Sequence, residues 1–298
     1  MIRVGTCSWT EKTLMQSGEF YPEKVKTPEE RLRYYAHHFT TVEVDSTYYA
    51  IPDKRTTHLW NERTPEDFIF HIKAYGALTG HGVAPKTLPK DIFDLLSPAD
   101  RTRKYVYIKE PALLESITAR FSEALAPLRQ SDKLGCVVFQ YPPWFRHATA
   151  HMDVILRSTH FIQQDMQVAV EFRHGSWLTS DTTAPVLQFL KDHQLSYISA
   201  DEPQYGSLAT VPFIPDATTD IAYFRFHGRN TQNWLKKGTE TALRYSYLYS
   251  DEELAGFVHA LRTTEKKTKV TYAMFNNCHG GFAMRNAMRL QEMTKGRA

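Results

Sequence analysis

The chain has 298 residues, with 42% hydrophobic and 23% charged side chains, which is typical of a soluble globular protein with a large core. The lack of a long apolar run or a signal-peptide pattern argues against a membrane or secreted protein, and three widely spaced cysteines argue against a disulfide framework or a CxxC zinc site. We therefore expect a cytoplasmic protein with no membrane partner. The net charge of +3 does not decide for or against nucleic acid.

Eight strand-like segments alternate with helical segments along the whole chain. Strands are expected at about 3–9, 40–48, 68–75, 135–142, 167–174, 195–201, 221–228 and 270–277. Capping boxes at 27–30 and 250–253 begin two amphipathic helices, and further helices are expected near 56–63, 115–129, 150–163, 183–193 and 281–294. Eight such units predict an α/β fold, a (β/α)8 TIM barrel that forms a single domain over 1–298. An open doubly wound sheet is the alternative, but no GxGxxG motif follows the first strand.

Three connections between the predicted strands stand out. Residues 76–114 follow the third strand and residues 229–250 follow the seventh, and both are longer than a minimal barrel needs. Because both follow strands, we expect them to lie over the C-terminal face of the barrel. The sixth connection, 202–220, contains three prolines, which argue against a regular helix there.

The predicted barrel interior is unusually rich in charge. If the apolar phase of each strand faces the helices, the other phase points inward. That phase contains Glu43, Asp45, His71, Lys73, Gln140, Glu171, Arg173, Tyr197, Asp201, Tyr223, Arg225 and His227, with Trp9, Asn276 and Asn277 near the top. Burying such charges costs several kcal/mol per ion unless they are paired, so the cluster indicates either a functional site or a satisfied ion-pair network.

The acids and one histidine at the strand ends are candidates for catalysis. The candidate catalytic residues are Glu171, Glu43, Asp45, His174 and Asp201. His174 follows the fifth strand, where it could act as a general acid or base or simply cap the turn. Carboxylates and imidazoles also suit a divalent metal, the one cofactor that these residues indicate. Against a metal site, the ligands would come from separate strands without an HExxH motif, and cationic side chains share the same space.

A second set of residues points to an anionic ligand at the same face. Barrels often bind phosphate near the ends of strands seven and eight, where this chain has Gly280 and Gly281 before a helix. The span 225–249 holds five basic residues and one acid, interleaved with aromatic residues, a mixture suited to nucleic acid, to a phosphorylated sugar or to a packed lid. The candidate ligand-binding residues are Arg173, Arg225, His227, Arg229, Asn230, Lys73, Asn276, Asn277, Trp9 and Tyr245.

Several motifs together resemble a known family. They are Val42-Glu43-Val44-Asp45-Ser46-Thr47-Tyr48-Tyr49, Gln140-Tyr141-Pro142-Pro143, Val170-Glu171-Phe172-Arg173-His174-Gly175-Ser176-Trp177, Arg225-Phe226-His227-Gly228-Arg229-Asn230, Tyr245-Ser246-Tyr247-Leu248-Tyr249 and Phe275-Asn276-Asn277. In this order, and with Gly5-Thr6-Cys7-Ser8-Trp9 at the start, they resemble the YecE-like family, a domain of unknown function with a TIM-barrel fold. Asp45 and Cys7 depart from that pattern, where asparagine and serine are common. The resemblance implies the fold but no reaction and no catalytic residues.

Three hypotheses about function follow. The first is a barrel that binds a phosphate-bearing ligand, nucleic acid or nucleotide, and that hydrolyses a phosphodiester if it is an enzyme. The second is a carbohydrate-active hydrolase that uses a carboxylate pair such as Glu43 and Glu171. The third is a non-catalytic binding module whose interior charges are structural. The sequence indicates neither the substrate nor the oligomeric state.

Overall fold

A computed structural model describes residues 1–296 of the chain. Eight parallel strands form one sheet of order β1-β8-β7-β6-β5-β4-β3-β2, in which each strand from β2 onward pairs with the next along the chain and β8 pairs with β1. The strands are β1 (Ile2–Thr6), β2 (Thr41–Val44), β3 (Ile69–Lys73), β4 (Leu134–Gln140), β5 (Gln167–Glu171), β6 (Ser196–Asp201), β7 (Ile221–Phe226) and β8 (Val270–Phe275). Together with the interleaved helices, this confirms the predicted (β/α)8 barrel.

Helices follow most strands and cover the outside of the barrel. They are α1 (Lys12–Ser17), α2 (Pro28–His38), α3 (Lys54–Glu62), α4 (Lys90–Leu95), α5 (Pro98–Arg101), α6 (Pro111–Ala124), α7 (Ala126–Gln130), α8 (Thr149–Gln163), α9 (Thr183–Asp192), α10 (Thr241–Arg244), α11 (Asp251–Glu265) and α12 (Phe282–Lys295). Both predicted capping boxes form, at the starts of α2 and α11. As the prolines indicated, residues 202–220 contain no helix. No helix among residues 1–296 is long and apolar enough to cross a membrane.

The barrel closes between β1 and β2 through a side chain. The hydroxyl of Tyr35, on α2, accepts a hydrogen bond from the backbone N–H of Thr6 at 3.0 Å and donates one to the carbonyl of Thr41 at 3.1 Å. A Cβ atom on Gly5 would clash with that same carbonyl, so the two strands approach closely only because residue 5 is glycine. One buried tyrosine therefore bridges the two ends of the sheet.

The interior of the barrel has an apolar lower layer and a charged upper layer. Buried Cys136, Val138, Ala169, Ile198, Tyr223 and Tyr272 form the lower layer. One strand repeat further along, at the carboxyl ends, the inward side chains become Glu43, Lys73, Glu171 and Arg225. The charges predicted for the whole interior are therefore concentrated where the strands end, the usual place for chemistry in a barrel.

The predicted orientation of β6 is wrong. Parallel partners share a face, and Ala200 pairs with the inward Arg225, whereas Asp201 pairs with Phe226. Asp201 and Tyr197 therefore face the helices, and Ile198 and Ala200 face the interior. The assumption that apolar residues face the helices fails here because small side chains are needed inside, beside the bulky guanidinium of Arg225.

His71, predicted to be an interior polar residue, stabilises an irregularity in the sheet. The register of β3 against β4 shifts between Phe70 and Ile72, so β4 carries a bulge. The imidazole Nδ1 of His71 accepts the backbone N–H of Cys136 at 3.0 Å, and a Cβ on Gly135 would lie 2.6 Å from the ring. Burial lowers the pKa of His71 to about 3, so the ring is neutral and its role is structural.

Candidate functional site

Arg225, near the end of β7, is the centre of a buried ion-pair network. Its guanidinium is bound by the carboxylate of Glu171 from β5, by Glu43 from β2 at 2.7 Å and by the amide oxygen of Gln140 from β4 at 3.0 Å. A longer contact of 3.4 Å reaches Asp45. Arg225, Glu43 and Glu171 have no exposed surface, so these pairs are fully desolvated. Four strands are thereby tied together across the inside of the barrel.

A second guanidinium lies above the first. Arg173 donates to Glu171 at 2.9 Å and pairs with Glu202 at 3.1 Å, and the ring of Trp234 lies 5.1 Å from its guanidinium carbon. Glu202, immediately after β6, is the acid that the alternation pattern did not indicate. Because β6 has the opposite orientation to the predicted one, Glu202 rather than Asp201 points into the network.

Lys73 and Asp45 form the part of the network that reaches solvent. Their side chains pair at 3.4 Å, and the exposed fraction is 12% for Lys73 and 25% for Asp45. The ammonium of Lys73 also lies 5.3 Å from the ring centre of Tyr48. Arg173 retains 8%. A ligand approaching the barrel mouth would therefore meet Lys73, Asp45 and Arg173 before any deeper charge.

His227 is held as a neutral imidazole. The side-chain amide of Asn276 donates to its Nδ1 at 2.9 Å, so its Nε2 carries the hydrogen and donates to Glu171 at 3.1 Å. Burial lowers the pKa of His227 to about 3, although Glu171 acts in the opposite direction. His227 therefore acts as a hydrogen-bond donor in the network rather than as a cation.

The four acids of the network have different protonation properties. Burial acts to raise the pKa of Glu171, but Arg225 and His227 hold it well below its usual value. The pKa of Asp45 is lowered in the same way by Lys73 and Arg225, against the effect of burial. For Glu43, burial outweighs Arg225 and raises the pKa to about 7. Burial does the same for the pKa of Glu202, also to about 7. The mouth therefore combines two ionised carboxylates with two that titrate near neutral pH.

Comparison with known proteins assigns the chain to a family. Residues 3–298 match the family model described as "Protein of unknown function DUF72". The chain belongs to the DUF72 family. It is 31% identical over 299 residues to the UPF0759 protein YunF of Bacillus subtilis strain 168, with 98% of this chain and 94% of YunF covered. The family description gives no activity, which agrees with what the motifs implied.

Crystal structures of two other DUF72 proteins have the same fold. TM1631 of Thermotoga maritima MSB8 is 31% identical, with 99% of this chain and all of that chain covered and a TM-score of 0.76. EF0366 of Enterococcus faecalis V583 is 29% identical, with 100% and 97% covered and a TM-score of 0.79. This chain therefore shares its barrel with two DUF72 proteins of known structure.

The candidate metal ligands of this DUF72 chain do not fit a resident metal ion. Among residues 1–296, donor atoms of Cys7, Glu43 and Asp45 lie within 4.8 Å of one another. However, Glu43 already accepts hydrogen bonds from Arg225 and from the hydroxyl of Tyr223, and Asp45 pairs with both Lys73 and Arg225. A divalent cation would have to replace Arg225, whose charge already balances these acids.

Asp201 and Arg229 form a separate cluster on the helix-facing side. Two nitrogens of Arg229 donate hydrogen bonds to the carboxylate of Asp201, the shorter at 2.7 Å, and a third donates to Glu253 at 2.9 Å. The hydroxyl of Tyr249 donates to Asp201 at 2.7 Å and accepts the backbone N–H of Gly228 at 2.7 Å. The cluster fixes the loop after β7 to α11, and it lies apart from the Arg225 network.

The remaining predicted site residues have local contacts that account for their positions. The ring nitrogen of His174 accepts the N–H of Ser176, so this histidine caps the turn after β5. Trp9 packs edge-on against Trp60, with 5.7 Å between ring centres. Asn230 binds the carbonyls of Leu243 and Ser246, and Asn277 binds the carbonyl of Tyr247, so both asparagines hold the loop after β7. Tyr245 lies beside His227 and Trp234, with ring centres 5.9 and 5.4 Å away. Of this group, only Tyr245 adjoins the network.

Proposed function

We propose that the carboxyl end of the barrel binds a phosphate-bearing ligand, a nucleotide or nucleic acid, and that Lys73 and Arg173 contact the phosphate. The order of charges by depth supports this. Glu43 and Glu171 lie deepest in the barrel mouth and have no exposed surface, whereas the side chains of Lys73 and Arg173 are partly exposed. An anion entering the mouth thus meets Lys73 and Arg173 together with Asp45, the counter-charge of Lys73, while the acids that balance Arg225 lie beneath them.

Lys73 is the cation best placed to receive the ligand. Its ammonium has three donor hydrogens, and its single carboxylate partner within salt-bridge distance among residues 1–296 is Asp45, at 3.4 Å. Arg173 already shares two nitrogens with Glu171 and Glu202. Arg225 is fully buried, so in this proposal it supports the site without touching the ligand.

We further propose Asp45 as the general base if the bound ligand is a phosphodiester. It is the acid of the network with the largest exposed surface, so water can reach it, and Lys73 and Arg225 keep it ionised at neutral pH. In this step Asp45 takes a proton from the water that attacks phosphorus, while the bond from phosphorus to one ester oxygen breaks and that oxygen leaves with its electron pair. The pair suggested for a carbohydrate-active hydrolase, Glu43 and Glu171, is joined by the guanidinium of Arg225 and has no exposed surface. That arrangement supports a structural role for these two acids.

Binding is tested by calorimetric titration with thymidine 5′-monophosphate at low salt. We expect Lys73→Met to weaken binding roughly 10- to 100-fold, the usual value of a charge-assisted hydrogen bond, and Lys73→Arg to retain most of it. The control is Lys191→Met, an exposed lysine on α9. Equal affinity in all four proteins, or no heat of binding to the wild type, would contradict the proposal.

Hydrolysis is tested separately with bis(p-nitrophenyl) phosphate as a chromogenic diester. We expect slow release of p-nitrophenolate by the wild type and at least about a 100-fold loss in Asp45→Asn, since general-base catalysis contributes about that much. Nucleotide binding without turnover would reject Asp45 as a base. The DUF72 chain would then be a non-catalytic binding module.

A further inference from the structure

A short segment of the loop after β3 carries a dense positive charge. Residues 101–109 read Arg-Thr-Arg-Lys-Tyr-Val-Tyr-Ile-Lys, with four cations and no acid in nine residues. We call this segment the basic ribbon. Its charge equals that of the longer span 225–249, which stands out in the sequence, and all four of its cationic side chains are exposed.

The backbone of the basic ribbon presents its aromatic residues to solvent. Val106 pairs in antiparallel fashion with Val83 through two backbone hydrogen bonds of 2.9 Å. Val106 and Ile108 are buried, whereas Tyr105 and Tyr107 are 52% and 60% exposed. Alternation of this kind places both tyrosine rings on one face of an extended segment, roughly 7 Å apart along the chain.

Further exposed rings lie beside the ribbon. The rings of Tyr107 and Trp144 both lie against the turn at 80–82: a Cβ on Gly82 would meet the Tyr107 ring at 3.1 Å, and one on Gly80 would meet the Trp144 ring at 3.7 Å. Trp144 is 56% exposed, and Tyr49, after β2, is 63% exposed. Four aromatic side chains from the loops after β2, β3 and β4 are therefore more than half exposed. Solvent-facing rings at this density mark a binding surface.

The cations of the ribbon fall into two groups. Arg101 donates to the carbonyls of Leu96 and Asp94, and Arg103 pairs with Asp100 at 3.0 Å, so both help to hold the segment in place. Lys104 instead extends over the ring of Tyr105, 5.3 Å from its centre. Lys109 is exposed at the other end of the ribbon. The positive charge therefore flanks the exposed rings on both sides.

A groove runs along this surface. It has a volume of about 460 Å³ and is lined by Arg103, Tyr105, Tyr107 and Lys109 of the ribbon, by the flanking acids Asp100 and Glu110, and by apolar side chains such as Leu95 and Leu113. Leu95 is 71% exposed. The groove combines ring faces and apolar walls with charges of both signs, and exposed Lys104 adds a cation beside it; the ring faces are suited to stacking flat groups.

We propose that the basic ribbon binds single-stranded nucleic acid. Unpaired bases stack on Tyr105, Tyr107 and Trp144, while Lys104 and Lys109 contact the phosphates. A duplex is excluded from this mode because its base faces are already stacked. The inference rests on the proposed function in one respect: the strand would lead its phosphates towards the barrel mouth. Tyr48 lies between the two sites. The centre of its ring is 5.3 Å from the Lys73 ammonium and 5.1 Å from the ring centre of His81, in the turn at 80–82.

The test is fluorescence anisotropy with a labelled oligothymidylate of about 12 nucleotides at low salt. We expect the double variant Tyr105→Ala and Tyr107→Ala to bind about 30-fold or more weakly, because it lacks two stacking platforms, and the corresponding double Tyr→Phe variant to bind like the wild type. Phe161→Ala, which removes an exposed ring on α8, is the matched control. Thermal unfolding of each variant verifies that it is folded.

Failure of this inference is distinguishable from failure of the mouth site. Lys73→Met should weaken binding of thymidine monophosphate roughly 10- to 100-fold and binding of oligothymidylate much less, and the ribbon variants should do the opposite. Ribbon-dependent oligonucleotide binding by a protein that does not bind the monophosphate would support the ribbon alone. The inference is overturned if the wild type does not bind the oligonucleotide, if a duplex of the same length binds equally well, or if the alanine variant binds like the wild type.

Discussion

The Arg225 network, which forms the floor of the barrel mouth, and the basic ribbon contain the same cationic residue types, mostly buried in the network and exposed on the ribbon. On the floor, Lys73, Arg173 and Arg225 face Glu43, Asp45, Glu171 and Glu202 at salt-bridge distances, and most of these groups are buried. On the ribbon, four exposed cations share nine residues with no acid. A buried cation needs its counter-charge within reach, whereas water screens an exposed one. The difference separates charges that hold the fold from exposed charges such as Lys104 and Lys109, which are accessible to a ligand.

The largest expected effect comes from removing the central charge of the floor. Arg225→Met takes the guanidinium partner from buried Glu43 and one of two guanidinium partners from buried Glu171, and we expect the free energy of unfolding to fall by about 3–5 kcal/mol. Urea unfolding followed by circular dichroism measures this loss. The matched change on the ribbon, Arg103→Met, should cost about 1 kcal/mol or less, because the Arg103–Asp100 pair is solvated. Similar losses in the two variants would remove the distinction between the regions.

A smaller effect concerns the pH dependence of the floor. In the folded chain the pKa of Glu43 is about 7, and its usual value is 4.5. Between these pH values the folded chain holds a proton that the unfolded chain has released, so the contribution of Glu43 to stability falls as pH rises. Glu43→Gln lacks this titration, and we expect the variant to gain about 1–3 kcal/mol on the wild type between about pH 5 and pH 8.

Urea unfolding of the wild type and of Glu43→Gln across this pH range measures the difference in their free energies of unfolding. Buried histidines such as His227, whose lowered pKa gives the opposite slope, contribute to both proteins and cancel in the difference. Parallel stability curves for the two proteins would show that Glu43 is ionised throughout, as Glu171 is.

The Asp201–Arg229 cluster is an intermediate case, since its charges are paired and partly exposed. Tyr249→Phe removes one hydrogen bond to Asp201 and one from the backbone of Gly228, both 2.7 Å long. We expect a loss of about 1–2 kcal/mol in urea unfolding. The control is Tyr247→Phe, which removes a half-buried hydrogen bond to Glu253 and should cost less. A loss as large as that of Arg225→Met would mean that this cluster, not the floor, holds the barrel mouth together.

The smallest effect on stability is expected for the ribbon itself. Replacing Lys104 and Lys109 together by glutamine should change the free energy of unfolding by no more than about 0.5 kcal/mol, because both side chains are exposed. The same double variant should have a salt slope of oligonucleotide binding that is smaller by about 1.4, since each lysine that neutralises a phosphate of a single strand contributes about 0.7. An unchanged slope would mean that neither lysine touches a phosphate.

The sequence predicted the barrel and most of its charged interior. In β2, β3, β5 and β7 a clean alternation separates apolar from charged residues, so Glu43, Lys73, Glu171 and Arg225 were placed correctly. In β6 the rule fails, because packing against Arg225 requires small inward residues such as Ala200. Alternation records polarity but not the space that each side chain must fill, and Glu202 was missed for that reason.

The ligand-binding predictions show a second limit. Arg229 lies at the position where barrels often bind phosphate, but its guanidinium already forms ion pairs with Asp201 and Glu253. Only the geometry shows which cations are already paired. The basic ribbon lay in a loop without a strand pattern long enough to predict, and its exposed rings became recognisable through the Val83–Val106 bridge. A run in which tyrosines alternate with apolar residues between cations, as at 103–109, is the signal that would have found it.

The long sequence separation within the Arg225 network has a consequence for synthesis on the ribosome. Glu43 precedes Arg225 by 182 residues, which at typical translation speeds is roughly 10–35 s. Throughout that interval the first acids of the barrel have no arginine to neutralise them. The nascent chain must therefore keep them hydrated, and the sheet cannot close until β7 and β8 have left the exit tunnel. A barrel whose charges are matched between its first and last thirds thus closes only after its last strands have been synthesised.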